Sequence, residues 1–359
     1  MASYIRHNRL PREVGGGISI VSSSPTIQNC VISGNMAHGC DGSAGGGIFL
    51  NDSMSLIENC IISNNETYWS NFDDVAETYG AGIYLFSSDA TIRNCVISGN
   101  YADWGNGAGV FCYNSAPAIT NCKITENESV SGGSGFGGYG GGICGCNSPI
   151  TDCEIIDNYG EYNGGGLSNC GGPITNCTIS GNSVYWSGIG GGLYQCVGSI
   201  TNCIIWDNDG DQLYDSSTPT YSCIQDWTGG GIGNIDADPN FVDPANGDYH
   251  LQSQSGRWDP NTESWILDDV TSPCIDAGDP NSDYWAEPWP NGHRVNMGAY
   301  GNTTEASRGC TNIDDVRLMG TDWLYSDSVT DIIPYPDGDG IVDLRDYAFL
   351  FEHWLCQEQ

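Results

Sequence analysis

The first complete repeat of the chain reads Gly15-Gly16-Gly17-Ile18 and, after a turn, Ile27-Gln28-Asn29-Cys30-Val31-Ile32-Ser33-Gly34-Asn35. Six further copies follow, each 24 to 35 residues after the one before. In every copy isoleucine stands three residues before the cysteine and two residues after it, and asparagine stands five residues after it. The seven cysteines are Cys30, Cys60, Cys95, Cys122, Cys153, Cys177 and Cys203. Fixed offsets in a repeat of this length indicate a solenoid, in which each unit packs on its neighbours.

The alternation of side chains within the repeat indicates short β-strands. Its phase slips at the residue before the cysteine, which is Asn29 in the first copy and Asp152 in the fifth. Asn and Asp tolerate the left-handed backbone conformation, so this position fits a corner between two strands. The isoleucines and the cysteine then face inward, and the position after the cysteine, which holds Lys123, Glu154 and Thr178 in three copies, faces solvent. We therefore predict a β-solenoid of parallel strands, with coils stacked at about 4.8 Å.

The charge of the chain restricts its partners. Ten Lys and Arg residues stand against 45 Asp and Glu residues, and the net charge is −35. This argues against nucleic acid and anionic membranes as partners, and favours calcium and neutral or cationic partners. The sequence has no apolar run long enough for a transmembrane helix, so we expect no membrane span. The first ten residues lack the apolar core of a signal peptide, so we expect a removed signal or a longer gene product. We expect an extracellular or cell-surface location in a bacterium.

The chain has 17 cysteines, and the last three copies each contain a second one. One interpretation is a disulfide across each of these short coils, formed in an oxidising compartment. The alternative is a stack of reduced thiols that act as small apolar side chains. Spacing does not show the Cα separations, so both interpretations stay open. The pairs are Cys146 with Cys153, Cys170 with Cys177, and Cys196 with Cys203.

Loops of variable length leave the predicted solenoid at one corner, and they are rich in aromatic residues. A row of exposed rings on one side can stack on sugar faces or pack against another protein. Alternatively, the rings fold back and cover the corner of the solenoid. The predicted contact residues for a glycan or protein partner are Tyr68, Trp69, Tyr101, Trp104, Tyr185 and Trp186.

The sequence divides into three expected parts. Residues 1–255 form the solenoid, residues 256–308 form irregular closing coils that cover its C-terminal end, and residues 309–359 show helical spacing of apolar residues. The third part contains an acidic stretch with the spacing of a calcium loop, although Tyr335 stands at the first ligand position. The alternative is an acidic helix N-terminus. The predicted calcium ligands are Asp337, Asp339, Asp343 and Asp346.

The repeats resemble those of right-handed parallel β-helix proteins of the pectate-lyase-like class. They are also similar to the cysteine-bearing repeats of secreted planctomycete-type proteins and to polymorphic outer-membrane protein repeats. The resemblance rests on Gly-Gly-Gly-Ile, on Asn-Cys-x-Ile-x-x-Asn, and on the stretches 272–278 and 296–301. Residues 309–359 resemble a dockerin-like tandem whose second calcium segment holds the four aspartates. The resemblance implies an all-β fold, a right-handed parallel β-helix with a small helical dockerin-like C-terminal segment.

We expect a secreted structural or adhesive solenoid rather than an enzyme. Its open edge strands would let copies of the chain associate end to end into filaments. The alternative is a carbohydrate-binding or carbohydrate-active protein. However, lyases need cations to hold polyuronates, and the seven copies contain only Arg93 and Lys123 as basic residues. Glycosidases need two facing carboxylates, and the pattern singles out none. The expected partners are other copies of the chain and an extracellular glycan or cell-surface partner.

Overall fold

The repeats wind into stacked coils whose corresponding strands pair in parallel. The computed structural model describes residues 3–6, 8–10, 15–39, 43–69, 78–131, 137–185 and 188–309. Each full coil contributes one strand to each of four sheets, which we number in the order in which a coil meets them. The predicted parallel β-solenoid is confirmed.

The strands are short because each face of the coil is only a few residues wide. The first sheet contains Ile18–Val21, Ile48–Asn51, Ile83–Phe86, Val110–Tyr113, Ile143–Cys144, Leu167–Ser168, Leu193–Tyr194 and Leu213–Tyr214. The second sheet contains Thr26–Gln28, Leu56–Glu58, Thr91–Arg93, Ala118–Thr120, Ile150–Thr151, Ile174–Thr175 and Ile200–Thr201. The third sheet contains Ser3–Arg6, Cys30–Ser33, Ile61–Ser63, Val96–Ser98, Lys123–Thr125, Glu154–Ile156, Thr178–Ser180, Ile204–Trp206 and Cys223–Ile224. The fourth sheet contains Arg9–Leu10, Met36–Gly39, Glu66–Trp69, Tyr101–Ala102, Glu128–Ser129, Tyr159–Gly160 and Ser183–Val184.

Columns of identical side chains form the core. In the second sheet Ile92 pairs with Ile57 and Ile119, and in the third sheet Ile97 pairs with Ile62 and Ile124. These isoleucines are fully buried, as are most of the cysteines between the two columns. Stacking like on like removes apolar surface from water at every coil, and this burial drives the assembly.

The predicted corner adopts the left-handed conformation. The residue before the cysteine has a φ between 49° and 56° in all seven copies. Its amides also stack, because Asn121 Nδ2 donates to Asn94 Oδ1 at 2.9 Å and Asn202 Nδ2 donates to Asn176 Oδ1 at 3.0 Å. Asn and Asp therefore serve both the backbone geometry and the contact between coils.

The asparagine at the end of each copy forms a second, buried ladder. Asn100 Nδ2 donates to Asn127 Oδ1 at 2.8 Å and to the carbonyl of Ile62 at 3.0 Å. The backbone N–H of Asn100 donates to the same Asn127 oxygen at 3.1 Å. The Asn100 amide thus satisfies two backbone groups of the preceding coil, since it donates to the carbonyl of Ile62 and accepts from the N–H of Asn65, as a buried polar group requires. The ladder runs through Asn35, Asn65, Asn100, Asn127, Asn158, Asn182 and Asn208.

The glycine segment lies directly against this ladder. A Cβ atom on Gly82 would lie 2.5 Å from the carbonyl oxygen of Gly109 and 3.0 Å from Asn100 Nδ2. The glycines are therefore required by the close approach of successive coils, because no side chain fits between them and the asparagines.

Residues 241–309, which we name the closing region, pack against the outer surface of the third sheet. They contain two antiparallel pairs, Phe241–Asp243 with Asp248–Leu251 and Arg257–Asp259 with Ser264–Ile266, and a 3₁₀-helix over Pro244–Asn246. A small parallel pair, Thr78–Tyr79 with Gly105–Asn106, extends one solenoid loop.

The closing region changes the expectation for the position after the repeat cysteine. It packs along the side of the later coils, and it also contacts Tyr221 of the last coil through Arg294. The N–H of Ala299 donates to Thr178 Oγ1 at 3.1 Å, and Tyr300 Oη donates to Glu154 Oε1 at 2.6 Å. Thr178 and Glu154, expected to face solvent, are therefore buried. Their polarity reflects hydrogen bonds to a distant segment, which the alternation within a repeat cannot reveal.

The helical dockerin-like segment lies outside the described residues. So do the four predicted calcium ligands, Asp337, Asp339, Asp343 and Asp346.

Candidate functional site

The outer surface of the fourth sheet carries alternating tyrosines and carboxylates. Pairing places Glu66, Tyr101, Glu128 and Tyr159 at one register position in four successive coils. The next residue of each strand is buried, so these four side chains point outward. A second outward row stands two residues later, and Val130 interrupts its polar side chains. We name the whole set the tyrosine–carboxylate face: Glu66, Tyr68, Tyr101, Asp103, Glu128, Tyr159, Glu161 and Tyr185.

Backbone hydrogen bonds hold the second row in step with the first. The N–H of Asp103 donates to the carbonyl of Thr67 at 3.0 Å, and the N–H of Tyr185 donates to the carbonyl of Glu161 at 3.2 Å. At the other end of the row, the ring of Tyr68 stacks on His38 with centroids 5.5 Å apart and planes 6° apart. The face is therefore a regular surface whose side chains repeat at the coil spacing of about 4.8 Å.

Burial and the neighbouring carboxylates both raise the pKa of the tyrosines on this face. Burial, followed by the charges of Asp103, Glu128, Glu161 and Glu66, raises the pKa of Tyr101 to about 12. Burial and the neighbouring Glu161 and Glu128 also raise the pKa of Tyr159. Both phenols are hydrogen-bond donors at neutral pH, and the carboxylates beside them are hydrogen-bond acceptors. This combination suits a ligand with apolar faces and hydroxyl groups.

The structure brings three of the six predicted contact residues together on this face. Tyr68 and Tyr185 are 42% and 49% exposed, and Tyr101 is half-buried between Glu66 and Glu128. Trp104 follows the same strand in a turn with a φ of 54°, and it is half-buried. Trp69 ends the strand Glu66–Trp69, but its side chain and the whole of Trp186 lie outside the described part of the chain.

Other loop aromatics fold back on the solenoid, as the alternative interpretation predicts. Phe49, Tyr84 and Phe111 occupy one outward register position of the first sheet. The loop residue Tyr79 stacks on Tyr84 and Phe111, with centroid distances of 5.7 and 4.7 Å. The sequence analysis missed this cluster, although an aromatic residue directly after the isoleucine of two glycine segments was a visible signal.

A cleft of about 370 Å³, which we name the lateral cleft, opens between the third sheet and the closing region. Lys123 Nζ lies 3.0 Å from Glu154 Oε2 and donates to the carbonyl of Gly247 at 3.1 Å. Burial raises the pKa of Asp152, the single acid in the corner ladder. Sequence reasoning missed the cleft because its wall residues are far apart in the chain. The residues that line it include Asn121, Lys123, Asp152, Glu154, Tyr300 and Glu305.

A buried histidine lies behind this cleft. The ring of His250 stacks on Tyr300 with centroids 3.7 Å apart, and His250 Nδ1 lies 2.7 Å from Asp248 Oδ1. Burial opposes the charge of Asp248, but the hydrogen bonds with His250 are sufficient to lower the pKa of that carboxyl. His250 thus supports the tyrosine that reaches Glu154.

The cysteines do not pair across the short coils. Cys146 forms a disulfide with Cys112 of the preceding coil, with Cα atoms 5.0 Å apart. Of the two interpretations, the structure therefore does not show a disulfide across each short coil, since Cys146 pairs with the preceding coil and not with Cys153. The remaining members of those pairs are free thiols: Cys153, Cys170, Cys177, Cys196 and Cys203.

In the described ranges, no group of three or more His, Cys, Asp or Glu side chains could hold a metal ion. The same ranges include no helix with the length and apolar character needed to cross a membrane.

Two family models match parts of the chain. Residues 3–145 match the model described as right handed beta helix region, and residues 172–278 match the model described as disaggregatase related. No curated protein and no solved structure matches the chain significantly. With the parallel pairing of seven successive repeats, the first match shows that the chain contains a parallel β-solenoid of the right-handed β-helix type.

Proposed function

We propose that this chain is an extracellular structural or adhesive solenoid that contacts a neutral glycan through the tyrosine–carboxylate face. The observation that carries the proposal is the row of tyrosines and carboxylates at one register of the fourth sheet, with Tyr101 between Glu66 and Glu128. Rings bind the apolar faces of sugars, and flanking carboxylates accept hydrogen bonds from their hydroxyl groups.

The shape of the face supports an extended ligand. Tyr101 and Tyr159 lie two coils apart, which corresponds to about 10 Å along the solenoid axis. A linear polysaccharide lying along this axis would meet a ring at every second coil. The charge supports a neutral polymer, since a chain with a net charge of −35 repels a polyuronate.

The name of the second family model is consistent with this setting. Its description contains the word disaggregatase, which refers to the dispersal of aggregates. A glycan-contacting solenoid would work among aggregated material of that kind.

We favour binding over catalysis because the strongest acid–base cluster has a structural task. In the lateral cleft, Lys123 holds Glu154 and the carbonyl of Gly247, and Tyr300 holds the other oxygen of Glu154. These contacts attach the closing region to the third sheet. Lys123, Glu154 and Tyr300 are therefore already paired with one another or with the backbone. End-to-end association of copies stays a prediction, for which electron microscopy of the full chain is the direct test.

Tyr101→Ala tests the proposed face. We expect its affinity for a neutral insoluble polysaccharide such as cellulose, xylan or chitin to fall roughly three- to tenfold, since an aromatic contact contributes about 0.5–1.5 kcal/mol. Sedimentation binding assays measure the change. The control is Tyr113→Ala, because Tyr113 is an exposed tyrosine that stacks on Phe86 in the first sheet, away from the proposed face. Equal losses in both variants, or no binding to any of these polymers, would contradict the proposal.

A further inference from the structure

Four cysteines lie above one another in successive coils at the end of the first sheet, the first within its strand and the other three two residues after theirs. They are Cys112, Cys146, Cys170 and Cys196. We propose that Cys170 and Cys196 form a second disulfide between coils, parallel to Cys112–Cys146. This proposal does not depend on the glycan face.

The backbone keeps these cysteines in register. The N–H of Gly171 donates to the carbonyl of Cys146 at 3.1 Å, and the N–H of Val197 donates to the carbonyl of Cys170 at 3.0 Å. Successive coils are about 4.8 Å apart, which lies within the range of about 4.4–6.8 Å for Cα atoms of a disulfide. Cys112 and Cys146 already pair at 5.0 Å in the same column. The backbone therefore presents Cys170 and Cys196 at a separation suited to a disulfide.

The thiols of Cys170 and Cys196 hydrogen-bond to each other, as neighbouring thiols of the seven-cysteine ladder also do, but their backbone surroundings differ. In the ladder, Cys177 Sγ lies within hydrogen-bond distance of carbonyl oxygens of two coils, those of Thr175 at 3.3 Å and Ile150 at 3.5 Å. Cys203 has the same two kinds of acceptor, Thr201 at 3.3 Å and Ile174 at 3.6 Å. Each of these two ladder thiols therefore contacts backbone carbonyl oxygens of two coils.

Cys170 and Cys196 each approach the carbonyl two residues earlier in their own coil, at 3.5 and 3.6 Å, and each also contacts the backbone of the preceding coil. The two thiols also contact one another. The hydrogen bond between the two thiols lowers the pKa of Cys170 and raises the pKa of Cys196. Cys170 is thus the better nucleophile of the pair, since the thiolate is the reactive form.

Only one pairing uses all four cysteines of the column. If Cys146 were joined to Cys170, then Cys112 and Cys196 would stand three coils apart, about 14 Å, and no disulfide spans that distance. With Cys112–Cys146 formed, Cys170 and Cys196 are the remaining neighbours. Both are fully buried, so the bond would form while the coils are still docking.

The reaction requires a disulfide oxidant, of which oxidised glutathione is a simple representative. The Cys170 thiolate attacks one sulfur of glutathione disulfide and releases one glutathione thiolate. Cys196, after losing its proton, attacks the Cys170 sulfur of this mixed disulfide and releases the second glutathione. Two protein thiols are oxidised by two electrons, and one glutathione disulfide is reduced to two thiols.

The test is disulfide mapping of the full chain refolded with oxidised and reduced glutathione. Free thiols are blocked with N-ethylmaleimide in denaturant, and the protein is cut with chymotrypsin without reduction. Cys170 and Cys177 share the peptide between Leu167 and Tyr185, and Cys196 and Cys203 share the peptide between Tyr194 and Trp206. We expect these two peptides to be linked, at a mass two hydrogens below their sum.

Matched variants identify which cysteines form the link. The linked pair should persist in Cys177→Ser/Cys203→Ser and disappear in Cys170→Ser and, independently, in Cys196→Ala. The proposal is overturned if Cys170 and Cys196 of the wild-type chain carry N-ethylmaleimide. It is also overturned if each peptide is two hydrogens lighter on its own, which indicates pairing within a coil. The wild-type map decides these outcomes even if a variant fails to fold.

Discussion

At the scale of single residues, the buried asparagines hold the coils together. Each amide replaces the hydrogen bonds that water would otherwise make with backbone groups at the inner corner. A buried amide costs little stability while all its hydrogen-bond partners are present. Removing one asparagine leaves the buried polar groups of its neighbours without partners.

Asn100→Ala tests this role. It removes the acceptor of Asn65 Nδ2 and of the backbone N–H of Asn65, both at 3.0 Å, and the donor to Ile62. Urea unfolding should show a loss of about 2–5 kcal/mol, since each unsatisfied buried group costs roughly 1–3 kcal/mol. The control is Asn94→Gly, which keeps the left-handed corner and removes an exposed amide, and it should cost less than about 1 kcal/mol. Equal losses for the two variants would contradict a special role for the buried ladder.

A single buried carboxyl makes the closing region pH-sensitive. Burial raises the pKa of Glu287 from 4.5 to about 7, against hydrogen bonds from the backbone N–H groups of Asn302 and Asn296. The unfolded chain releases this proton near pH 4.5, so the folded state holds it more tightly. Stability therefore falls as pH rises from about 4.5 through 7, by roughly 3 kcal/mol in total.

Glu287→Gln should remove this part of the pH dependence, because the amide resembles the protonated acid. Urea unfolding followed by the fluorescence of the buried Trp289 would measure it at pH 5 and pH 8. Glu263→Gln, which changes an exposed acid, should keep the wild-type slope. A wild-type protein that is more stable at pH 8 than at pH 5 would show that the sign is wrong.

At the scale of elements, the strands of successive coils pair in register within four sheets, and the closing region packs on the third sheet. Its attachment combines a buried apolar cluster, which includes Ile204, Leu251 and Met297, with hydrogen bonds, of which the one from Tyr300 to Glu154 is the shortest at 2.6 Å. The antiparallel strands of this region pair with each other and not with the coils. The closing region can therefore open without breaking the strand pairing of the solenoid.

Tyr300→Phe should loosen the closing region selectively. Removing the hydroxyl leaves one oxygen of the buried Glu154 without its donor and should cost about 1–3 kcal/mol. Hydrogen exchange should then accelerate at amides of residues 249–307 and remain unchanged in the second sheet. The control is Tyr284→Phe, whose ring stacks on Trp285 in the same region. Faster exchange throughout the solenoid would indicate that the closing region is not a separate unit.

At the scale of the whole molecule, the net charge of −35 opposes folding through self-repulsion. In the described residues three ion pairs join Arg or Lys to a carboxylate, too few to neutralise the acids. The charge also explains why a neutral ligand suits the tyrosine–carboxylate face better than an acidic one.

Salt should stabilise the molecule. Raising the ionic strength from 0.01 to 0.15 M shortens the Debye length from about 30 to about 8 Å and screens most of the repulsion. We expect the thermal midpoint to rise by several degrees, measured by circular dichroism. An equal osmolality of a neutral sugar that is not a ligand serves as the control. A midpoint that falls with sodium chloride would mean that attractive ion pairs outweigh the repulsion.

The repeat offsets alone determined the solenoid, its inward isoleucines and its left-handed corners. Such predictions succeed because a coil packs on neighbours that carry the same residues, so local periodicity reports tertiary contacts directly. The same reasoning placed Tyr68, Tyr101 and Tyr185 on one side of the molecule.

Only the tertiary structure decided where the closing region lies, which cysteines pair, and how the lateral cleft forms. Glu154 and Tyr300 are 146 residues apart, and Cys112 and Cys146 are 34 residues apart. The first contact joins segments that do not repeat. The second joins cysteines whose stacking depends on a two-residue shortening of the coil. Periodicity carries no information about such contacts, because a hydrogen bond or a disulfide depends on positions in space that a one-dimensional pattern leaves open.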